Sequence, residues 1–432
     1  MREMKDSGIL GVGKVPISWE QTRLGYECYI RARLGWRGLK ADEYVDEGYA
    51  FISAFNIQDG KLVWEPLNYI TQERYDESPE IKLNIGDVLL VKDGAGVGKS
   101  ARVDSLPCGG TAPNSSIGVI TPYNSMSYRY VCYYIQSPVF SNFVGLLYNG
   151  MGVPHLTQEI LKTIRILMPP LDEQQSICDY LDEKCAEIDS LISDIQSQIE
   201  ALEEYKRSVI TEAVTKGLDP DVEMRDSGDE WIGMIPDHWK IMRIGRLFHL
   251  RNEKNYLPME QVQLLSLYTD IGVFPHGEHE ERGNKAVTVD GYNIVKKNDI
   301  VVNIILAWMG AIGISNYEGV TSPAYDVYVP DLSKVVPHYF HYVFRTSGIA
   351  GECYKYGRGI MMMRWRTYSS EFKLINVPYP NLREQQQIAD YLDSKCAEID
   401  SIIAEKKHQI ATIEEYKKSL IFEYVTGKKE VQ

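Results

Sequence analysis

The sequence predicts an α/β chain built as an internal repeat: two mixed α+β bodies, each followed by one long helix, the two helices packing on each other. Three observations lead there. Leu171 to Thr215 recurs without a gap at Leu382 to Thr426, identical at 28 of 45 positions at an offset of 211, more than a shared helical composition produces. Within each copy apolar residues repeat every seven positions, with others four further on. The segments ahead of the helices instead carry short alternating apolar runs punctuated by Gly and Asp, as sheet does.

The repeat begins before the bodies. MKDSGILGVGKVPISWEQTRLG near the start matches MRDSGDEWIGMIPDHWKIMRIG at an offset of 220, through pairs such as Pro16 and Pro236, Trp19 and Trp239, and Arg23 and Arg243. The first body then supplies the strand-like YAFISAFNI, DVLLVK and SSIGVIT, the second QLLSLYT, DIVVNIIL and AYDVYV, with turns at Asp59-Gly60, Asn84 to Asp87 and Asp290-Gly291. Short helices are expected around Tyr130–Gln136 and Tyr339–Phe344. Weak matches, Asp87 with Asp299 and Tyr130 and Tyr133 with Tyr339 and Tyr342, make the bodies one fold with different surfaces.

The helices are the strongest expectation. Leu181, Ile188, Ile195, Leu202 and Val209, with Cys185, Ile192 and Ile199, form a coiled-coil seam in the first. Leu392, Ile399, Ile413 and Leu420, with Cys396, Ile403 and Ile410, repeat it in the second, where Lys406 replaces one apolar knob. No Pro or Gly interrupts either run, and at about 1.5 Å per residue each spans roughly 65 Å. Independent oligomerisation coils are the other arrangement open to such seams.

Composition narrows the class. No run of 18 apolar residues exists and the start, MREMKDSG, resembles no targeting peptide, so a cytoplasmic protein is expected. Seven cysteines with no CxxC pair read as reduced and metal-free. The net charge of −14 argues against nucleic acid until its distribution is examined: the helical segments hold −10 of it. Basic stretches remain elsewhere, Arg23, Arg31, Arg33, Arg37 and Lys40 opposed only by Glu27, and Arg358, Arg364, Arg366 and Lys373 opposed only by Glu371.

Catalytic chemistry finds little support. DGAGVGKS (Asp93–Ser100) approaches a phosphate-binding loop, but the pattern needs Gly where Asp93 stands, and the second body has AWMGAIGIS without the Lys. The one Pro-Pro, Pro169-Pro170, leads into the helix and is not the aromatic-flanked motif that clamps a flipped base. His276 with His279 and His338 with His341 lack the further ligands of a zinc site. No cofactor and no catalytic residue is assigned. An ATPase using Asp93–Ser100 and a coiled-coil adaptor for protein ligands stay as alternatives.

Taken together, the DSG arm before each body, LGWRGL (Leu34–Leu39), DGAGVGKS, WMGAIG (Trp308–Gly313) and the twice-repeated EQ..I..YLD..CAEID helix start resemble the specificity subunit of type I restriction-modification systems. The resemblance covers essentially the whole chain. It implies two target-recognition domains, 1–168 and 218–380, each reading half of a split, asymmetric double-stranded DNA site in the major groove. It implies that the helices, in 169–217 and 381–432, form an antiparallel coiled coil that relates the halves by a pseudo-twofold. Two methyltransferase subunits would bind the chain, and restriction (translocating nuclease) subunits can join them. The chain itself would be no enzyme and would touch no membrane.

Candidate DNA-contacting residues follow from side-chain type. In the first body they are Arg31, Arg33, Trp36 and Arg37, Ser53 and Asn56, and Lys92, Lys99 and Asn114. In the second they are Arg358, Arg364, Trp365 and Arg366, with Tyr268, Thr269, Asn303 and Trp308. Guanidiniums suit guanine or phosphate. Off the seam, Gln174, Gln175 and Tyr180 are preserved as Gln385, Gln386 and Tyr391, and are expected to form an outward face for two identical partners.

Overall fold

A computed structural model describes residues 2–33, 39–94, 96–147, 155–269, 272–277, 288–359 and 365–431. The chain divides into two compact units, Met1–Ile195 with Lys407–Gln432, and Gln196–Lys406. Each unit therefore takes one arm, one body and half of each long helix.

The helices run Leu171–Lys216 and Leu382–Val425. In the first unit Tyr180, near the start of one, lies 4.5 Å in ring centroid from Tyr424 at the end of the other, so the pair is antiparallel. Leu181, Cys185, Ile188, Ile195 and Ile199 are buried along the seam, as are Leu392, Cys396, Ile399, Ile403 and Leu420. Lys406 is half-buried and meets Gln198 at 2.6 Å, so a polar pair replaces the missing apolar knob.

Each body is centred on a four-stranded antiparallel sheet. In the first unit the order is Ser100–Arg102, Val88–Val91, Ile117–Pro122, Cys28–Arg31. In the second it is Ile312–Ile314, Ile300–Asn303, Tyr325–Pro330, Phe248–Leu250, the same order strand for strand. The central strands are mainly apolar, and Val88–Val91 wholly so, because both faces are covered. Val88 and Leu90 join the main core with the helices, while Leu89 and Val91 join a second core beneath the smaller sheets. Ile300 and Val302 divide from Val301 in the same way.

The repeat also fixes how body and helices join. The short helices Tyr128–Gln136 and Pro337–Phe344 form near the expected positions. Their fully buried Tyr130 and Tyr339 donate to the carbonyls of Val425 and Val214, at 3.0 and 3.1 Å, tying each body to the last turn of a long helix. Trp19 and Trp239 donate to Glu173 and Glu384 near the helix starts, at 2.9 and 3.2 Å. The helices end at Gly217 and Gly427 with φ of 77° and 65°. A Cβ on Gly427 would stand 2.5 Å from Pro16 Cδ, so both the left-handed turn and the contact demand glycine there.

Candidate nucleic-acid interface

Antiparallel pairing gathers the divergent loops of each body at one end of its sheet. In the first unit the strands ending at Arg31 and Val91 finish where those beginning at Ser100 and Ile117 start, since Ser100 pairs with Leu90, Ile117 with Val91 and Val119 with Arg31. Asn114 N–H donates to the Ile52 carbonyl at 2.7 Å, so the Ser53 turn reaches the same edge, and Leu156 N–H donates to the Lys92 carbonyl at 2.8 Å. Ala32, Ser53, Lys92, Asp93, Lys99, Asn114 and His155 thus share one sheet end.

The second unit builds the matching end from Leu250, Asn303, Ile312 and Tyr325, with Val302 opposite Ile312 and Asn303 opposite Tyr325. Thr367 N–H donates to the Ile304 carbonyl at 2.8 Å and carries Trp365 and Arg366 there. Tyr268 and Thr269 close the neighbouring strand Leu265–Tyr268.

Several candidate side chains prove to be committed to the fold. Arg31 is buried, paired with the fully buried Asp87 at 2.7 Å and bonded to Thr121, so it is no free reader. Its counterpart, missed in the sequence, is Arg251, which grips Asp299 through Nε and a terminal nitrogen at 2.8 and 2.9 Å. Extending the arm's offset of 220 to position 31 would have found it. Arg33 is turned inward, its Nε on Ser78 at 3.1 Å and its guanidinium 3.5 Å from Glu77. Asn56 is buried because it closes a capping box with Ser53 and donates to the Val63 and Pro66 carbonyls. Asn303 is buried because its side-chain oxygen accepts from Ile305 and Leu306 N–H.

The others keep some exposure. Lys99, Thr269, Arg358 and Arg366 are exposed. Ser53, Lys92, Asn114, Tyr268, Trp308 and Trp365 are half-buried. Asn114 accepts from Ser116 N–H and hydroxyl, and Arg345 donates to the Thr269 carbonyl. Trp308 donates to the Ile305 carbonyl, and Trp365 stacks on Tyr354 at 5.2 Å. Arg358 pairs with Glu371 at 2.8 Å and with Arg366 through a backbone bridge. Trp36, Arg37 and Arg364 lie outside the described residues. In the glycine-rich loop Asp93 contacts both Lys92 and His155. Its burial raises the carboxyl pKa, but these two neighbours outweigh that and hold it below its usual range.

The expected outward helix face also needs correction. Gln174 and Gln385 are fully buried. Gln174 accepts from Ser127 N–H and donates to the Ser125 and Pro169 carbonyls. Gln385 accepts from Val336 N–H and donates to the Lys334 and Pro380 carbonyls. Each locks a helix start to its own body. Gln175 and Gln386 are exposed and bond Asp179 and Asp390 one turn on, Tyr391 is exposed, and Tyr180 is half-buried.

A second lock shows where the units differ. Asp182 accepts from Arg102, Arg129 and Tyr133, and although burial opposes it these partners hold its carboxyl below the usual range. At the same place in the second unit Asp393 meets His338 and Tyr342, each at 2.6 Å.

The family model for the type I restriction modification DNA specificity domain matches this chain twice, over residues 19–201 and 236–414, more than half of its length. The chain belongs to that family. Among curated members it is 24% identical over 433 residues to the type I restriction enzyme MjaVIII specificity subunit of Methanocaldococcus jannaschii, covering 96% of this chain and 94% of that one. It is 24% identical over 260 residues to the EcoKI specificity subunit of Escherichia coli, covering 58% and 53%. A solved chain from work on complex assembly and conformational transition of the type I R-M system shares the fold, with a TM-score of 0.68 at 15% identity over 96% of this specificity chain and 99% of that one. Among the described residues no helix is long and apolar enough to cross a membrane.

Proposed function

We propose that each unit of this specificity chain reads one half of a split, asymmetric double-stranded DNA site with the loops at its sheet end. The observation that carries this is the pattern of divergence. The locks between body and helix are repeated almost residue for residue, whereas the loops at equivalent sheet ends differ in chemistry: the turn after Val91 is glycine-rich with Lys92 and Lys99, and the turn of equal length after Asn303 carries Leu306, Trp308 and Met309. Two copies of one scaffold with unlike edges suit two unlike words, and base edges supply the code.

In this reading Lys99, Thr269, Arg358 and Arg366, with the half-buried Ser53, Lys92, Asn114, Tyr268, Trp308 and Trp365, are the contact candidates, joined by Trp36, Arg37 and Arg364. Two methyltransferase subunits dock on the exposed helix positions around Gln175, Gln386 and Tyr391, restriction subunits join that complex, and methylation and cleavage reside in those partners. The assembly works in the cytoplasm, where duplex DNA is accessible.

Co-expression with its modification subunits followed by selection from a randomised duplex library tests the proposal. Enrichment of two short unlike words across an unread gap is expected; no enrichment at low salt overturns it.

A further inference from the structure

The turn that joins Ile300–Asn303 to Ile312–Ile314 presents two large apolar side chains to solvent. Leu306 and Met309 are 37% and 54% exposed, while Ala307 between them is fully buried and anchors the turn. The turn is fixed by its own hydrogen bonds. Asn303 Oδ1 accepts from Ile305 and Leu306 N–H, Trp308 Nε1 donates to the Ile305 carbonyl at 3.0 Å, and Ala311 N–H donates to the Leu306 carbonyl at 3.1 Å. Gly310, at φ 85°, closes it. A turn held this way cannot fold its apolar tip inward, so the exposure is built in.

The surroundings say what the tip meets. Thr367 N–H on the Ile304 carbonyl sets Arg366 beside the turn, and Arg366 is bridged in turn to Arg358; both guanidinium-bearing residues are exposed. Basic flanks attract phosphate and seat the edge on a duplex without reading sequence. Within the major groove the apolar feature that base pairs present is the thymine methyl group. The equivalent turn of the first unit, between Val91 and Ser100, carries Gly94, Gly96, Gly98 and the exposed Lys99 instead.

We propose that Leu306 and Met309 read the methyl group of a thymine in the half-site of the second unit, a contact the first unit does not make. This rests on the function proposed above. The apolar tip selects an A·T pair in one orientation, because the methyl lies on the thymine side of the pair and cytosine has only a hydrogen at that ring position.

The test uses the full chain assembled with its modification subunits. Selection from a randomised duplex library defines the site, and each thymine of it is then replaced by deoxyuridine, which removes only the methyl. The expected result is a loss of roughly fourfold in affinity at one thymine of one half-site, what about 0.8 kcal/mol for one buried methylene-sized group gives. The Leu306→Ser, Met309→Ser double variant should lose both that penalty and the thymine preference at that position, with the other half-site unchanged.

Failure to enrich any duplex would sink the function proposed above and this contact with it. Enrichment of a site that is indifferent to deoxyuridine, or one whose preference survives in the double variant, overturns the thymine contact alone. So does a double variant that loses its modification subunits while wild-type binding ignores the methyl, since the tip is then a protein contact.

Discussion

Arg31 shows what a single position can conceal. It stands in a basic stretch and reads as a phosphate or guanine ligand, yet it is locked to Asp87, 56 residues away in sequence. Asp87 also accepts from Asn84 N–H at 2.8 Å, as Asp299 accepts from Lys296 N–H at 2.7 Å, so each carboxylate closes a turn and holds an arginine at once. Breaking such a buried pair strands a charge and costs about 3–5 kcal/mol. Arg31→Ala is therefore expected to lower the stability measured by chemical denaturation by that order; loss of DNA binding at unchanged stability would restore Arg31 as a reader. Gln174 conceals the same thing differently. Apolar periodicity marks the seam and leaves this Gln outside it, but the body covers that side of the helix, and periodicity along one helix carries no information about a second covering surface.

At the scale of elements, the long helices were legible because their signal is local and repeated: a seam every seven residues, in two copies, without a breaker. The sheet order and the loops gathered at its end were not, since strand pairing is long-range and short apolar runs do not name their partners. Lys406 stands in the seam where the heptad calls for an apolar residue. A polar residue in a seam costs stability while fixing register. Lys406→Leu is expected to raise the denaturation midpoint, with a gain of about 1 kcal/mol, and a drop would mean that the pair with Gln198 outweighs apolar burial.

The helix Pro337–Phe344 adds a pH dependence. Burial, helped by Arg345 and His338, pushes the His341 imidazole down from 6.5 to about 4. The folded state therefore refuses a proton that the unfolded chain accepts, so this residue's contribution is intact above about pH 6.5 and is lost as pH falls toward 4. Thermal melts between these values should fall less steeply with acid in His341→Gln than in the wild type; identical slopes would contradict the burial argument.

At the scale of the whole molecule, charge and repetition separate two tasks. The long helical segments hold −10 of the net −14, and the stretches in which basic residues outnumber acidic ones lie in the bodies, so net charge alone misleads about nucleic acid. Exposed charges more than about 8–10 Å apart are screened at physiological salt, which leaves local fields to decide binding. Arg366→Ala is expected to weaken duplex binding across sequences, to reduce the slope of log affinity against log salt by about one, and to leave association with the modification subunits intact. An unchanged slope would remove Arg366 from the contact surface.

The repeat also separates what sequence comparison within the chain can and cannot find. Paired residues such as Tyr130 and Tyr339 or Gln174 and Gln385 are structural locks, whereas the residues proposed to read DNA lie where the copies disagree. The most direct measurement is the modified or bound site itself, mapped for the full assembly across a genome or a randomised library. Two short, dissimilar words separated by a constant, sequence-indifferent gap are predicted. A single continuous word, two identical words in inverted order, or binding without sequence preference would contradict the assignment of one unlike half-site to each unit.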